Sequence, residues 1–440
     1  MSDAFARAAL GAYRMVGAVA YPLVGPYVGW RASRGKEERA RRRERYGYAG
    51  AERPGPGPLV WIHAASVGES IAVMPMVREI AGENLHVVMT TGTVTSAALV
   101  KERLGNAVIH QYVPLDLKPS IVRFLDHWRP DLAIVAESEI WPMTVLELGR
   151  RRIPQVLVNA RLSDRSFQRW KSAPSLAEAL LENLSHVVAQ SDIDAERYHL
   201  LGARAVTIAG NLKADTSPPP FEPIALQALK ADVAGRPVWA AVSTHPGEEE
   251  VAVDVHLALK MQHPDLLTII VPRHVERADA LEKAFLAKGL RVVRRSAYGP
   301  VPRDADLFLG DTMGEMGLYL RLTDIAFVGR SLEAQGGQNP LEAAMLGTAI
   351  VSGRYVQNFR ETYQRLLRNG GARLVQDREG LIDMIGQLLA EPQMRDRMIE
   401  AAANTVGEMR GALGRTMQAL EPFLHPLKLA ISLDRGAPPR

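Results

Sequence analysis

The sequence predicts an α/β protein of two Rossmann-like domains, and three observations carry that expectation. The chain has 440 residues, more than one hydrophobic core usually organises, so two domains of roughly 200 residues each are expected. From residue 58 onward short β-rich runs alternate with helical stretches, the pattern of a parallel sheet covered by helices on both faces. That alternation breaks at 211–223, NLKADTSPPPFEP, whose four prolines read as a linker.

The first series of strands is read at LVWIHAA (59–65), LHVVMTT (85–91), LAIVAES (132–138), QVLVNAR (155–161), HVVAQS (186–191) and AVTIAG (205–210). The second is read at PVWAAVS (237–243), LLTIIVPR (266–273), LRVVRRS (290–296), ADLFLGD (305–311), IAFVGRS (325–331) and AIVSGR (349–354). Two such halves are expected to face each other across a cleft, with ligands at the carboxyl ends of both sets of strands. The expected boundaries are 1–45 for a membrane-associating segment with its basic flank, 46–215 for the first domain, 216–425 for the second, and 426–440 for a tail.

Hydrophobic residues make up 47% of the chain and charged residues 23%, an ordinary globular composition that argues against long disorder. There are no cysteines, which excludes disulfides and thiolate chemistry and agrees with a reducing compartment. The formal net charge of +4 is unevenly spread: RASRGKEERARRRER at 31–45 carries eight basic and three acidic side chains. No aromatic interleaving or nucleic-acid motif accompanies this run, so no nucleic-acid partner is expected. Just before it, MVGAVAYPLVGPYVGW at 15–30 is uncharged. It is shorter than the roughly 20 residues a spanning helix needs and is interrupted by Pro22 and Pro26, so an interfacial anchor and a tilted span both remain open. A basic flank suits the anionic, cytoplasmic leaflet.

Several familiar sites are missing. There is no GxxxxGK[ST] loop, no HExxH helix, and no GxGxxG after the first strand. Asp192-Ile193-Asp194 has the short DxD spacing some transferases use for a metal-nucleotide complex. It opens a predicted helix, however, where Asp satisfies free amides, so capping is its expected role. Three strand-to-helix junctions, Ser66 to Glu69, Thr312 to Glu315 and Asn339 to Glu342, each place Glu three positions after a capping residue. Any one alone is explained as a capping box. Because all three follow predicted strands, their helix N-termini are also expected to line the cleft and stabilise phosphate oxygens, with Gly336 and Gly337 allowing close backbone approach.

Glu137 and Glu139 stand at the end of a strand, where burying two carboxylates without function is costly; surface exposure is the alternative. At comparable strand ends, Arg161, Lys213, Ser243-Thr244-His245 and Arg273-His274 suit a polyanionic ligand or structural salt bridges.

Together, HAASVGES, ESEIWP, NARLSDRSF, GNLKAD, STHPGEEE, VPRH, GDTMGEM and VGRSLEAQGGQNPLEAA resemble, in order and spacing, the 3-deoxy-D-manno-octulosonic acid (Kdo) transferases of lipopolysaccharide synthesis. The likeness runs from about residue 44 (ERYG) to 347. It implies a GT-B fold, CMP-Kdo as donor substrate, a lipid A precursor (lipid IVA) as acceptor, and inverting transfer with neither metal nor other cofactor. On that likeness Glu69 matches the general base, and Glu139 and Lys213 match positions that stabilise the transition state; whether Glu137 or Glu139 carries the family role is open. Pro272, Arg273, Met313, Gly314, Glu315, Asn339, Pro340, Leu341 and Glu342 match CMP-binding segments, and Ser243, His245 and Gly337 are expected to bind substrate beside them. The N-terminal segment resembles the family's membrane anchor, which implies an inner-membrane surface with anionic lipids as partner and catalytic domains on the cytoplasmic side. A sugar-nucleotide epimerase of the same double-Rossmann architecture is the enzymatic alternative, and a membrane-binding scaffold the non-enzymatic one.

Overall fold

The computed structural model describes residues 2–436, with side chains from Ala6 to Leu433. Residue 1 of the expected membrane segment and residues 437–440 of the expected tail lie outside the described residues. The chain divides into two units: unit 1 takes the residues up to Thr216 and those from Arg410 on, and unit 2 takes Ser217–Met409.

Unit 1 is built on seven strands: β1 (Leu59–Ala64), β2 (His86–Thr91), β3 (Ile109–Tyr112), β4 (Leu132–Ala136), β5 (Gln155–Ala160), β6 (His186–Ala189) and β7 (Val206–Ile208). They form one parallel sheet in the order β3-β2-β1-β4-β5-β6-β7. Unit 2 carries β8 (Val238–Thr244), β9 (Leu267–Pro272), β10 (Val292–Arg294), β11 (Leu307–Leu309), β12 (Ile325–Val328), β13 (Ala349–Gly353) and β14 (Ala372–Val375). Their order is β10-β11-β9-β8-β12-β13-β14, again parallel. Each sheet is doubly wound, so each has a switch point where connections leave in opposite directions and a crevice opens at the strands' carboxyl ends.

The central strands are apolar because helices cover both faces. In β1, Val60, Ile62 and Ala64 pack with Val73, Val77 and Ile80 of the helix Val67–Gly82. Leu59 and Trp61 turn the other way, onto Phe124, Trp128 and Met143. In unit 2, Trp239 and Ala241 of β8 pack with Leu281, Phe285 and Phe327. The two strands not expected from sequence, β3 and β14, are both sheet edges of four residues. Edge strands need no apolar run, and β3 spends its polar side chains on its neighbours: the Trp128 indole donates to Gln111 Oε1 at 2.7 Å, and His110 Nε2 lies 2.9 Å from Thr91 Oγ1.

The expected end of the second domain at 425 does not hold, because the chain returns to unit 1 from Arg410. The helix Ala412–Gly436 lays Ala412, Leu420 and Leu424 into the same core as Val73 and Ile80. Its start is fixed by Asp215, whose carboxylate accepts from the amides of Gly411 (2.7 Å) and Leu413 (2.6 Å).

At the N-terminus, helices Ser2–Ala20 and Val24–Ser33 are joined by a single turn holding Pro22. Met15, Val16, Val19, Leu23, Tyr27 and Trp30 are exposed, whereas Val24 and Val28 are buried. Among the described residues no helix is long and apolar enough to cross a membrane. The basic run is also less free than its composition implies. Arg31 and Arg45 pair with buried Glu37, and Arg41 pairs with buried Glu44, leaving Arg34, Lys36, Arg39, Arg42 and Arg43 exposed.

Candidate active site

In unit 1 the switch point lies between β1 and β4, and the expected carboxylates follow those two strands. Glu69 stands in the first turn of the helix Val67–Gly82, where its amide donates to Ser66 Oγ at 3.3 Å. Its carboxylate accepts from Ser66 Oγ (2.7 Å) and from the amide of Ala65 (2.8 Å). The capping box thus forms, with the Glu reaching one residue further back than the usual return bond. Capping does not exhaust this side chain. Burial first, then the charge of Glu137, pushes the Glu69 carboxyl above its ordinary value, against the lowering effect of the two hydrogen bonds and of Lys213.

Glu137 and Glu139 follow β4, and their surroundings differ. Glu137 adopts φ 56°, an uncommon backbone for a non-glycine residue, and its Oε1 lies 2.7 Å from Lys213 Nζ. Glu139 is held above the usual carboxylate range by burial first and then by Glu69, with Glu137 adding to the shift and a hydrogen bond to Trp141 opposing it. Lys213 sits on the turn Leu212–Asp215, which two asparagines fix: Asn159 Oδ1 accepts from the Leu212 amide and Asn211 Oδ1 from the Lys213 amide, both at 3.0 Å. Glu69, Glu137, Glu139 and Lys213 therefore form one electrostatic cluster of three carboxylates and one ammonium. Sequence reasoning missed Asn159; the NAR that closes β5 was its visible signal.

In unit 2 the switch lies where β8 has β9 on one side and β12 on the other. Ser243 (φ 54°) lies at the end of β8 and His245 just after it, while Pro272 ends β9 and is followed by Arg273, whose amide donates to Thr244 O at 3.0 Å. Arg273 is exposed. His245 is lowered to about 4 by burial first and then by Arg330, His274, Arg273 and Arg277, so this strand end concentrates positive charge, as an anion site requires. Glu248, which sequence reasoning quoted within STHPGEEE but did not single out, holds the region together. Its buried carboxylate accepts from the amides of His245 (2.9 Å), Arg330 (2.6 Å), Ser331 (2.8 Å) and Leu332 (3.0 Å), tying β8 to the loop after β12. Further along that loop Gly336 and Gly337 both have positive φ, and a Cβ at Gly337 would stand 2.9 Å from Val356 Cα.

The other two expected capping boxes take different forms. Glu315 does not cap a helix through Thr312: the following helix is only Met316–Tyr319, and Glu315 binds Arg295 through two hydrogen bonds (3.0 and 2.8 Å) and accepts from Thr312 Oγ1. Burial opposes ionisation of Glu315, but these bonds outweigh it and hold the carboxyl below its ordinary value. Gly314 has φ +82° and Met313 is exposed. Asn339 Oδ1 accepts from the Leu341 amide at 3.2 Å, and the helix Leu341–Met345 begins after Pro340 with Glu342 in its first turn. At the DxD, the cap is Ser191, and Asp194 is buried, accepting from Ser191 Oγ (2.6 Å) and the Leu162 amide (2.8 Å).

A family model described as 3-deoxy-D-manno-octulosonic-acid transferase (kdotransferase) matches residues 40–216. The 3-deoxy-D-manno-octulosonic acid transferase of Haemophilus influenzae is 36% identical over 415 residues, covering 92% of this chain and 96% of that protein. The chain belongs to the Kdo transferase family. The transferase of the same description from Bordetella pertussis is 35% identical, covering 86% and 91% of the two chains. Solved structures place this Kdo transferase family member among GT-B-like folds. A glycosyltransferase from Rickettsia africae aligns with a TM-score of 0.58 at 14% identity, over 84% of this chain and 99% of that one. The UDP-GlcNAc 2-epimerase of Neisseria meningitidis aligns at 0.57 and 14%, over 82% and 99%. At such identity the likeness is one of fold, shared by transferases and epimerases alike. The family match is what makes the chain a glycosyltransferase.

Proposed function

We propose that this Kdo transferase moves a Kdo residue from CMP-Kdo to a hydroxyl of a lipid A precursor, lipid IVA, with inversion and without a metal, in lipopolysaccharide core synthesis. The observation that carries the reading is the carboxylate cluster at the carboxyl ends of β1 and β4, with Glu69 raised by burial and by Glu137. A raised carboxyl is a better general base than an ordinary one, because its proton affinity lies closer to the working pH. Glu69 takes the acceptor hydroxyl's proton as that oxygen bonds to the anomeric carbon. The bond from that carbon to the phosphate oxygen breaks, and CMP leaves with the electron pair. Lys213 and Glu139 supply opposite charges around a centre that becomes oxocarbenium-like.

Unit 2 supplies the donor segments: Ser243, His245, Pro272, Arg273, Met313 to Glu315, Gly337, and Asn339 to Glu342. The positive surroundings of His245 and the exposed guanidinium of Arg273 support a nucleoside monophosphate leaving group neutralised by protein charge. The exposed apolar residues of the N-terminal helices, with five exposed basic residues behind them, support an interfacial anchor at the cytoplasmic face of the inner membrane, where an acylated acceptor resides.

The test is incubation of the purified full-length protein with CMP-Kdo and a tetra-acylated lipid A precursor, with products read by mass. Wild type is expected to add Kdo, and Glu69→Gln to bind CMP and stay folded but add none. Transfer by Glu69→Gln at the wild-type rate would mean that another group is the base.

A further inference from the structure

Unit 1 contains a cavity of about 1150 Å³, its open mouth included, on the sheet face that carries Trp61 rather than Ile62. One end lies at the carboxyl ends of β1 and β4, where Ala65 and Glu139 form the wall. The other lies by Gln155, which opens β5, and Leu184. Gln155 pairs with Ala133, four residues before Glu137, so the cavity runs on the order of 13 Å along the strands. It begins beside the proposed base, since the Ala65 amide holds the Glu69 carboxylate.

Most of the wall is apolar, and its polar groups are occupied, with one exception. Asp116 accepts from the Met143 and Thr144 amides and from Thr144 Oγ1, and the Gln155 amide donates to Val145 O and Asn183 O. His63 differs. It is 2% exposed, its Nδ1 lies 3.1 Å from Thr90 O and 2.9 Å from Thr90 Oγ1, and its Nε2 has no partner. Nδ1 donating to the Thr90 carbonyl leaves Nε2 as an acceptor, whereas Thr90 Oγ1, which already accepts from the Trp61 indole at 2.9 Å, leaves Nε2 as a donor when it donates to Nδ1; a hydroxyl meets either. Burial first lowers this imidazole to about 4, with the Thr90 hydrogen bond opposing and Arg45 assisting, so it is neutral at physiological pH. A water there would find one partner where a buried water needs about two to four. A hydroxyl on an aliphatic chain satisfies both the wall and the nitrogen.

We propose that this cavity takes one acyl chain of the lipid acceptor, and that His63 Nε2 hydrogen-bonds a hydroxyl near the chain's polar end. The position follows from the strand: His63 is two residues before Ala65, about 7 Å from the mouth. The inference rests on the reading of the acceptor as an acylated sugar. Binding the chain beside Glu69 orients the sugar hydroxyl for deprotonation, so His63 is a positioning and specificity residue.

The test uses full-length protein, CMP-Kdo and three acylated glucosamine disaccharide phosphates: one with long 3-hydroxyacyl chains, one with long unsubstituted chains, and one with chains cut to a few carbons. Wild type is expected to favour the hydroxylated over the unsubstituted long-chain acceptor by roughly fivefold in kcat/KM, the worth of one neutral hydrogen bond. His63→Phe should abolish that preference by slowing the hydroxylated acceptor alone. Leu157 of β5 lines the inner cavity, so Leu157→Phe should raise KM for both long-chain acceptors about tenfold and leave the short-chain one unchanged, with Leu157→Met close to wild type. If Leu157→Phe does not fold, the His63→Phe comparison decides alone. Equal wild-type rates on the two long-chain acceptors, or equal losses by Leu157→Phe on long and short chains, overturn the subsite while leaving Kdo transfer standing. Failure of wild type to transfer to any acceptor overturns the functional reading itself.

Discussion

Lys213 Nζ lies 2.7 Å from Glu137 Oε1 across 76 positions of sequence, so the cluster's one ammonium pairs with the first of the two carboxylates that follow β4. Glu69 feels both members of that pair with opposite signs: Glu137 raises its proton affinity and Lys213 lowers it.

The pH dependence of transfer should report those signs. The proposed base Glu69 acts in its ionised form, so kcat/KM is expected to fall on the acid side through a value above the ordinary carboxylate range. Glu137→Gln removes a raising charge and should move the acid limb to lower pH. Lys213→Met removes a lowering charge and should move it to higher pH, whatever each does to the maximum rate. Limbs that stay put in both variants would remove Glu69 as the titrating base.

The same raised carboxyl has a consequence for stability. Folded Glu69 holds its proton more tightly than the unfolded chain does, so ionisation weakens the fold as pH rises through the raised value. Glu69→Gln should therefore unfold at a temperature equal to or above wild type at neutral pH, and this advantage should vanish in mild acid, where both are uncharged. Thermal scans at the two pH values check it.

Glu248 is buried in unit 2 and four amides depend on it. Glu248→Ala should lower the unfolding free energy by about 3 kcal/mol or more through orphaned donors. Glu248→Gln, with one acceptor oxygen, should fall between. Denaturant titration gives both values, and a loss below about 0.5 kcal/mol for Ala would mean water replaces the carboxylate.

Gly337 has φ +78° and stands against Val356. Gly337→Ala is expected to cost about 1–3 kcal/mol in backbone strain and to raise KM for CMP-Kdo more than it changes kcat. Unaltered donor KM in steady-state assays would place this loop outside the donor site.

Val19 and Leu23 are 74% and 68% exposed, so replacing both with Glu should leave melting unchanged. Sedimentation with anionic vesicles should fall, because apolar contact is lost and the added charges are repelled. Full retention on vesicles would assign membrane contact to another surface.

The strand ends were legible from sequence because parallel central strands are continuous apolar runs, and any charge that follows one stands out. Glu137, Glu139, Lys213 and Arg273 were singled out that way and Glu69 by its capping-box spacing after a strand, while their roles came from the family resemblance. The edge strands β3 and β14 were not legible, because half-solvated backbone tolerates His110, Gln111 and Arg373 without a hydrophobic signature. Nor was the return of the helix Ala412–Gly436 to unit 1: Ala412, Thr416, Leu420 and Leu424, all fully buried, mark a stripe every fourth residue. A stripe states that a helix is covered and not by which sheet.

By itself the sequence determined the two doubly wound halves, the break between them and the family, since periodicity and ordered motifs are properties of the chain read in one dimension. Only the tertiary structure decided that Glu137 takes Lys213, that Glu248 gathers four amides, that three arginines of the basic run are spent on Glu37 and Glu44, and that His63 keeps an unpaired nitrogen beside an apolar cavity. Hydrogen bonds and charge effects depend on distance and burial. Between residues tens of positions apart, those are set by how the sheets are wound.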